Sequence, residues 1–88
     1  MIVRILGEGR FEVPDADIPA IEQLDQQLAD AMERSDEVEF RSTLSDLIGQ
    51  VRHTGTLVAP DDLRTSTLAV PHEGSSLAEV QSLLNEEA

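Results

Sequence analysis

The sequence predicts a small α+β fold, in which an N-terminal β-hairpin packs against an antiparallel pair of helices and a short C-terminal helix follows. Three observations support this fold class. Apolar residues alternate on both sides of a glycine-rich turn in the first thirteen residues, two helix-periodic stretches follow after it, and a helix-capping pattern precedes a last periodic stretch. At 88 residues the chain has the length of one domain, so we assign residues 1–88 to a single domain.

The hairpin turn is predicted at residues 7–9, where Gly-Glu-Gly separates two apolar strands. A three-residue loop there keeps apolar side chains on one face and charged side chains on the other, whereas a two-residue loop mixes them. Gly9 would supply the positive φ that such a loop needs at its last position. The predicted cross-strand pairs are Ile5 with Phe11, Val3 with Val13, and Arg4 with Glu12.

The first helix is predicted over residues 18–34, where apolar residues recur at helical spacing. Asp15 and Asp17 precede it as candidate N-caps. Pro19 suits the first turn of a helix. The Ser35-Asp36 pair is then expected to end this helix.

The second helix is predicted over residues 37–53. Asp36 with Glu39 resembles a capping box in which aspartate replaces serine or threonine. Gly55 is a stop signal at the other end. Because the break between the two helices is short, we expect them to lie antiparallel on the apolar face of the hairpin.

Two short strands and a helix are predicted after the helix pair. Leu57-Val58 and residues 67–70 each suit a short strand, and the second segment is the better candidate for a third strand of the sheet. Ser76 with Glu79 is a capping box that starts a last helix over residues 77–85.

The chain is strongly acidic, with 18 Asp and Glu against six Arg and a net charge of −12. This charge repels nucleic acid and anionic lipid headgroups and favours a basic protein partner, although solubility alone would also account for it. The absence of cysteine excludes disulfides and thiolate chemistry. No apolar segment is long enough for a signal-peptide core or a bilayer span, so we expect a cytoplasmic protein that meets a membrane only through a partner.

No pattern of catalytic, cofactor-binding or metal-binding residues stands out in the sequence. A dinucleotide-binding fingerprint would need a third glycine where Glu12 stands. Close aspartate pairs lack the further oxygen ligands of a calcium loop, and isolated histidines lack ligands or a nucleophile at the required spacing. The residues considered are Asp15 with Asp17, Asp61 with Asp62, His53 and His72. We therefore predict no enzyme, no cofactor and no metal site.

The outer face of the hairpin is the predicted interaction surface. Ile2 and Leu6 would lie on this face beside Arg4 and Arg10. The face is partly apolar and would be exposed unless another segment covers it. These four residues are therefore the candidate partner-binding residues, and the edge of the hairpin could also accept a partner strand.

Several short motifs, none of them specific alone, follow one another in a particular order along the chain. They are Ile2–Gly9 with Phe11-Glu12-Val13, Leu24-Asp25, Glu39-Phe40 leading into Leu44–Ile48, Val51-Arg52 before Gly55, Leu63, Ser66–Pro71 and Leu77–Val80. In order, spacing and overall length the chain resembles PspAA, the phage-shock-protein-A-associated protein family. The polar Thr65-Ser66-Thr67 stretch departs from the more apolar strand expected there.

This resemblance implies a small cytoplasmic protein that binds PspA, a coiled-coil protein related to the ESCRT-III membrane-remodelling class. It implies a non-catalytic adaptor in a bacterial or archaeal envelope-stress response, peripheral to the inner face of the cell membrane through its partner. The acidic composition also fits an alternative, an antitoxin-like or nucleic-acid-mimic regulator that masks a basic protein. The formation of homo-oligomers is left open.

Overall fold

A four-stranded mixed sheet lies at the centre of the fold. The computed structural model describes the backbone of residues 1–87 and the side chains of residues 1–82. The strands are β1 (Ile2–Ile5), β2 (Gly9–Glu12), β3 (Thr56–Leu57) and β4 (Leu68–Val70). Their order across the sheet is β3-β2-β1-β4, with β4 parallel to β1 and the other neighbours antiparallel.

Three helices complete the described part of the chain. They are α1 (Ile18–Glu33), α2 (Glu37–Thr54) and α3 (Leu77–Glu87), and a 3-10 turn at Asp15–Asp17 leads into α1. The helices α1 and α2 pack antiparallel on one face of the sheet, here termed the inner face. The predicted α+β architecture is confirmed, and the predicted third strand near residues 67–70 is β4.

The core lies between the inner face of the sheet and the helices. Full burial of a Val, Leu, Ile or Phe side chain stabilises a fold by about 1.5–3 kcal/mol, so these residues contribute most of the stabilising free energy. The buried apolar residues are Val3, Ile5, Val13, Ile21, Leu28, Ala31, Phe40, Leu44, Leu47, Ile48, Val51, Val70, Leu77 and Val80.

The register of the hairpin differs from the prediction. The observed pairs are Ile2 with Glu12, Val3 with Phe11, Arg4 with Arg10, and Ile5 with Gly9. The predicted pairs are therefore wrong by a shift of two residues. Because such a shift leaves every side chain on its predicted face, the apolar pattern could not distinguish the two registers. The loop is residues 6–8, where Gly7 adopts φ +86° and the Glu8 N–H donates to the Ile5 carbonyl at 3.0 Å.

The sequence analysis left the hairpin edge open to a partner strand, but neither edge of the hairpin is free. The strand β4 pairs with β1 on one side, and β3 pairs with β2 on the other side. Both edges are occupied by the chain's own strands, because segments distant in sequence return to the sheet. A partner strand therefore cannot pair directly with β1 or β2.

The start of α1 forms without the predicted side-chain caps. Neither Asp15 nor Asp17 accepts a capping hydrogen bond. Asp17 is already near the helical conformation, at φ −98° and ψ −8°, whereas a capping residue is usually extended. The 3-10 turn leads directly into α1, and Pro19 lies at the start of that helix as predicted.

The junction between α1 and α2 follows the predicted cap. The Asp36 side chain accepts a hydrogen bond from the Glu39 N–H at 3.1 Å. Ser35 adopts φ +53°, and the Asp36 N–H donates to the Ala31 carbonyl, the pattern of a left-handed turn that closes a helix. This tight junction reverses the chain and makes the two helices antiparallel.

The N-terminus of α3 is joined to α2. Ser76 Oγ accepts a hydrogen bond from the Glu79 N–H at 3.1 Å, which confirms the predicted cap. Glu37 Oε2, on α2, accepts a second one from the Leu77 N–H at 2.9 Å. Two N–H groups that the first helical turn leaves free are thereby satisfied, and α3 is fixed beside the core.

The connection from β3 to β4, residues 58–67, crosses the sheet because these strands lie at opposite edges. The helices cover the inner face, so this segment, here termed the crossing loop, runs over the outer face. Its two ends are joined to the sheet. The Val58 N–H donates to the Arg10 carbonyl, and the Thr67 N–H donates to the Ile2 carbonyl, both at 2.8 Å.

Gly55 lies where the end of α2 approaches β2. A Cβ atom there would lie 2.7 Å from the Val51 carbonyl oxygen and 3.0 Å from Phe11 Cβ. Its φ of −91° is open to any residue, so space and not backbone angle requires glycine. Gly55 ends α2 as predicted, and its missing side chain lets the helix meet the sheet.

Gly55→Ala should lower the free energy of unfolding by about 1–3 kcal/mol, the range typical of overpacking, because the Val51 carbonyl is backbone and cannot move aside. The matched control is Gly49→Ala, within α2, where an added Cβ meets nothing within 4 Å. That variant should gain about 0.5–1 kcal/mol from helix propensity. Urea unfolding measures both variants, and equal stabilities would contradict the steric explanation.

Candidate protein-docking surface

The outer face of the sheet carries the residues predicted to bind a partner. The register places Arg4 opposite Arg10, and Ile2 opposite Glu12. Side chains alternate along a strand, and Val3 points into the core, so these four side chains point away from the helices. The crossing loop runs over the same face and therefore decides which of them can meet a partner.

Arg10 holds the crossing loop on the outer face. Its guanidinium donates hydrogen bonds to the backbone carbonyls of Ala59, Asp62 and Arg64. Charge-assisted hydrogen bonds are about twice as strong as neutral ones, so three carbonyls converging on one cation fix the course of the loop. Arg10 is thereby half-buried and acts as an internal anchor.

Arg64, which is part of the crossing loop, attaches the loop to β2. Its Nη1 atom lies 2.6 Å from Glu12 Oε2 on β2, and its Nη2 atom lies 2.9 Å from Asp62 Oδ2 within the loop. The hydrogen bonds from Arg64 hold the pKa of Glu12 and the pKa of Asp62 below their ordinary values. The same bonds raise the pKa of Arg64. Exposed ion pairs each contribute little to stability, but the contact with Glu12 joins the loop to β2, and the contact with Asp62 holds Arg64 in place within the loop.

The four predicted partner-binding residues differ in accessibility. Ile2 is buried, at 6% exposed, and Leu6 is half-buried. Arg10 is engaged by the loop carbonyls, and Arg4 is exposed. The apolar part of the expected surface is therefore largely closed, because the crossing loop covers it. Contact of these residues with a partner stays a prediction.

A shallow cleft of about 380 Å³ stays open beside the crossing loop, here termed the Arg4 cleft. Val58 lies in it opposite Arg10, whereas the pairing of Leu57 with Phe11 turns the Leu57 side chain toward the inner face. The lining residues are Arg4, Glu8, Gly9, Arg10, Leu57, Val58 and Pro60. Sequence reasoning missed Val58 and Pro60 as site residues, because only the strand order brings them beside the hairpin. The one available signal was the strand propensity of Leu57-Val58.

Glu8 does not neutralise the arginines of this cleft. Arg52, near the end of α2, donates to both carboxylate oxygens of Glu8 and reaches Glu73 Oε2 at 2.8 Å. These contacts join the hairpin turn, α2 and the segment before α3. Among the side chains described for residues 1–82, Arg4 has no carboxylate within ion-pair distance.

The histidines and acids considered for chemistry do not form a metal site. In the part of the chain whose side chains are described, no group of three or more His, Cys, Asp or Glu could hold a metal ion. His72 Nε2 lies 3.7 Å from Glu79 Oε2, and His53 is exposed near the end of α2. No helix in the described residues is both long enough and apolar enough to cross a membrane.

Arg10→Met should release the crossing loop, because losing charge-assisted hydrogen bonds raises the open population by about tenfold or more. Trypsin cleavage after Arg64, measured by mass spectrometry, should accelerate by a similar factor. Arg34→Met, which changes an exposed arginine outside the sheet, should leave cleavage at that bond unchanged. Equal cleavage rates in the wild type and Arg10→Met would contradict the anchoring role.

Acid should weaken the attachment of the crossing loop. The lowered pKa of Glu12 and of Asp62 stabilises the folded state above their ordinary values of 4.5 and 3.8, and this contribution is lost as the pH falls through and below that range. Asp25 acts in the opposite direction, because burial raises its pKa. In Arg64→Met the urea midpoint should therefore fall less steeply between about pH 6 and about pH 3 than in the wild type or in Arg34→Met. An unchanged slope would refute this assignment.

Comparison with known proteins identifies the family. A family model described as PspA-associated protein, PspAA, matches residues 1–88, the whole chain. No curated protein and no solved structure matches the chain. The family match includes the hairpin, the crossing loop and the helices, and it agrees with the resemblance carried by the sequence motifs. The chain therefore belongs to the PspA-associated protein family.

Proposed function

We propose that this chain is a non-catalytic adaptor that binds a PspA-type protein. The observation that carries the proposal is the family match over residues 1–88, because the family is described by its association with PspA. The fold supports a binding role, since the packed core and the anchored crossing loop make a rigid body that can present a preformed surface. Preorganised surfaces lose less entropy on binding.

The surface of α1 favours a basic partner. The segment from Asp15 to Glu33 contains six Asp and Glu and no Arg. None of these carboxylates forms an ion pair with a side chain described for residues 1–82. By contrast, Glu8, Glu12 and Glu37 are each paired with an arginine. An acidic helix without counter-ions attracts a basic surface and speeds encounter with it.

We place the complex in the cytoplasm, at the inner face of the cell membrane, in an envelope-stress response. The net charge of −12 disfavours direct binding to anionic headgroups, so the partner would supply the membrane contact. In this proposal the partner is a coiled-coil protein of the ESCRT-III-related class, and the adaptor binds its exposed protein surface.

The acidic α1 also favours a second candidate, an antitoxin-like or nucleic-acid-mimic regulator that masks a basic protein. A mimic occupies the nucleic-acid-binding surface of its target, so duplex DNA should displace it. An adaptor on a PspA-type protein should be insensitive to duplex DNA. Competition with a short duplex at fixed salt separates the two candidates.

Binding to the PspA-type protein of the same organism should be detectable by calorimetry, and its association rate should fall by about tenfold or more between about 50 and about 500 mM NaCl. The reason is that salt screens the long-range attraction between α1 and a basic surface. Stopped-flow mixing measures the rate. The absence of binding at tens of micromolar would refute the adaptor proposal.

Two double variants with equal charge change serve as a matched pair for this experiment. Glu22→Gln with Glu33→Gln removes two exposed charges from α1, and Asp46→Asn with Asp61→Asn removes two exposed charges elsewhere. The α1 variant should slow association more. Equal effects would show that net charge and not the α1 surface steers the partner.

A further inference from the structure

The Arg4 cleft contains an electrostatic conflict that none of the side chains described for residues 1–82 resolves. Arg4 lies on the central strand β1, directly opposite Arg10 on β2. Like charges directly opposite each other destabilise a sheet. The positive charge of Arg10 is stabilised by the carbonyls of the crossing loop, to which it donates. Arg4 is exposed and has no carboxylate within ion-pair distance among the described side chains.

The neighbouring acids do not offset this conflict. Glu8 lines the same cleft but is held by Arg52, and Glu12 on the same face is held by Arg64. Among the side chains described for residues 1–82, an arginine at the centre of the sheet is thus left without an acidic partner, in a chain rich in acids. Residues that break a local rule without compensation within the fold are typical of functional positions.

An apolar contact lies beside this free guanidinium. Val58 stands opposite Arg10 on the outer face, and the exposed Pro60 extends the apolar lining. A guanidinium binds a carboxylate through two parallel N–H donors, which adds geometric specificity to charge. A ligand that matches both features carries a carboxylate next to an apolar side chain.

We propose that the Arg4 cleft binds an acidic and apolar segment of the partner protein, with a carboxylate on the Arg4 guanidinium and an apolar side chain on Val58 and Pro60. The inference rests on the proposed function for the identity of the partner. The cleft and α1 would contact different parts of the partner. The acidic α1 attracts a basic region, whereas the cleft binds one acidic segment. A phospholipid headgroup is disfavoured by the net charge of −12.

The test compares two cleft variants with two matched surface variants in calorimetry with the PspA-type protein. Arg4→Gln should weaken binding by about tenfold, as expected for loss of a charge-assisted hydrogen bond, and Pro60→Ser by about fivefold. Arg34→Gln and Leu63→Ser change an exposed arginine and an exposed leucine that do not line the cleft, and should alter binding less than about twofold. Equal effects in the cleft and control variants would overturn the proposal.

The free protein provides a second readout that needs no partner. Removing one of two like charges should leave the urea midpoint of Arg4→Gln equal to or above that of the wild type. A midpoint below that of the wild type would show that Arg4 is structural, which would overturn the proposal whatever the binding data.

Failure of the proposed function can be separated from failure of the cleft. If the wild type does not bind the PspA-type protein, the adaptor proposal fails, and the cleft is tested with the blocked peptide acetyl-Leu-Glu-Leu-amide. Saturable NMR shifts at the Val58 methyls and the Arg4 Nε–H that disappear in Arg4→Gln support the cleft. Absence of these shifts at millimolar peptide would overturn the cleft proposal. Arg4-dependent binding to vesicles of phosphatidylcholine and phosphatidylglycerol, without binding to the peptide, would also overturn it.

Discussion

The architecture depends on the hydrogen bonds from the Arg10 guanidinium to the crossing loop. The strand order places β3 and β4 at opposite edges, so residues 58–67 must pass over the sheet. A loop without regular structure brings backbone carbonyls to that surface, where a side-chain donor can bind them. Arg10 supplies three such contacts from a single side chain. The loop thus completes the fold, buries Ile2 and leaves the Arg4 cleft open on that side.

The distribution of ion pairs gives the molecule two different surfaces. Arg10, Arg41, Arg52 and Arg64 bind groups of their own chain, and none of the side chains described for residues 1–82 forms an ion pair with an acid of α1. Long-range attraction by such a surface sets the association rate, whereas short-range contacts set the register of a complex. The acidic helix and the Arg4 cleft fit these two roles, and the anchored loop holds them in a fixed relation.

Local features of the fold could be predicted from the sequence, because each depends on a few neighbouring residues. The cap at Asp36, the cap at Ser76 and the apolar periodicity of the helices are of this kind. The hairpin register could not be predicted, since a shift of two residues preserves both faces. The covering of Ile2 by the crossing loop could not be predicted either, because it follows from the strand order. The acceptors of Arg10 are backbone carbonyls, which no side-chain pattern reveals.

The most direct test of this account is the hydrogen-exchange rate of the Thr67 amide, measured by NMR in the free protein. Thr67 donates to the Ile2 carbonyl at 2.8 Å, at the point where the crossing loop rejoins the sheet. If the loop is held over the outer face, this amide should exchange about a thousandfold or more slower than in an unfolded chain, close to the amides of β1. Exchange at the unfolded rate, with β1 and α2 still protected, would show that the loop is detached and would contradict the account.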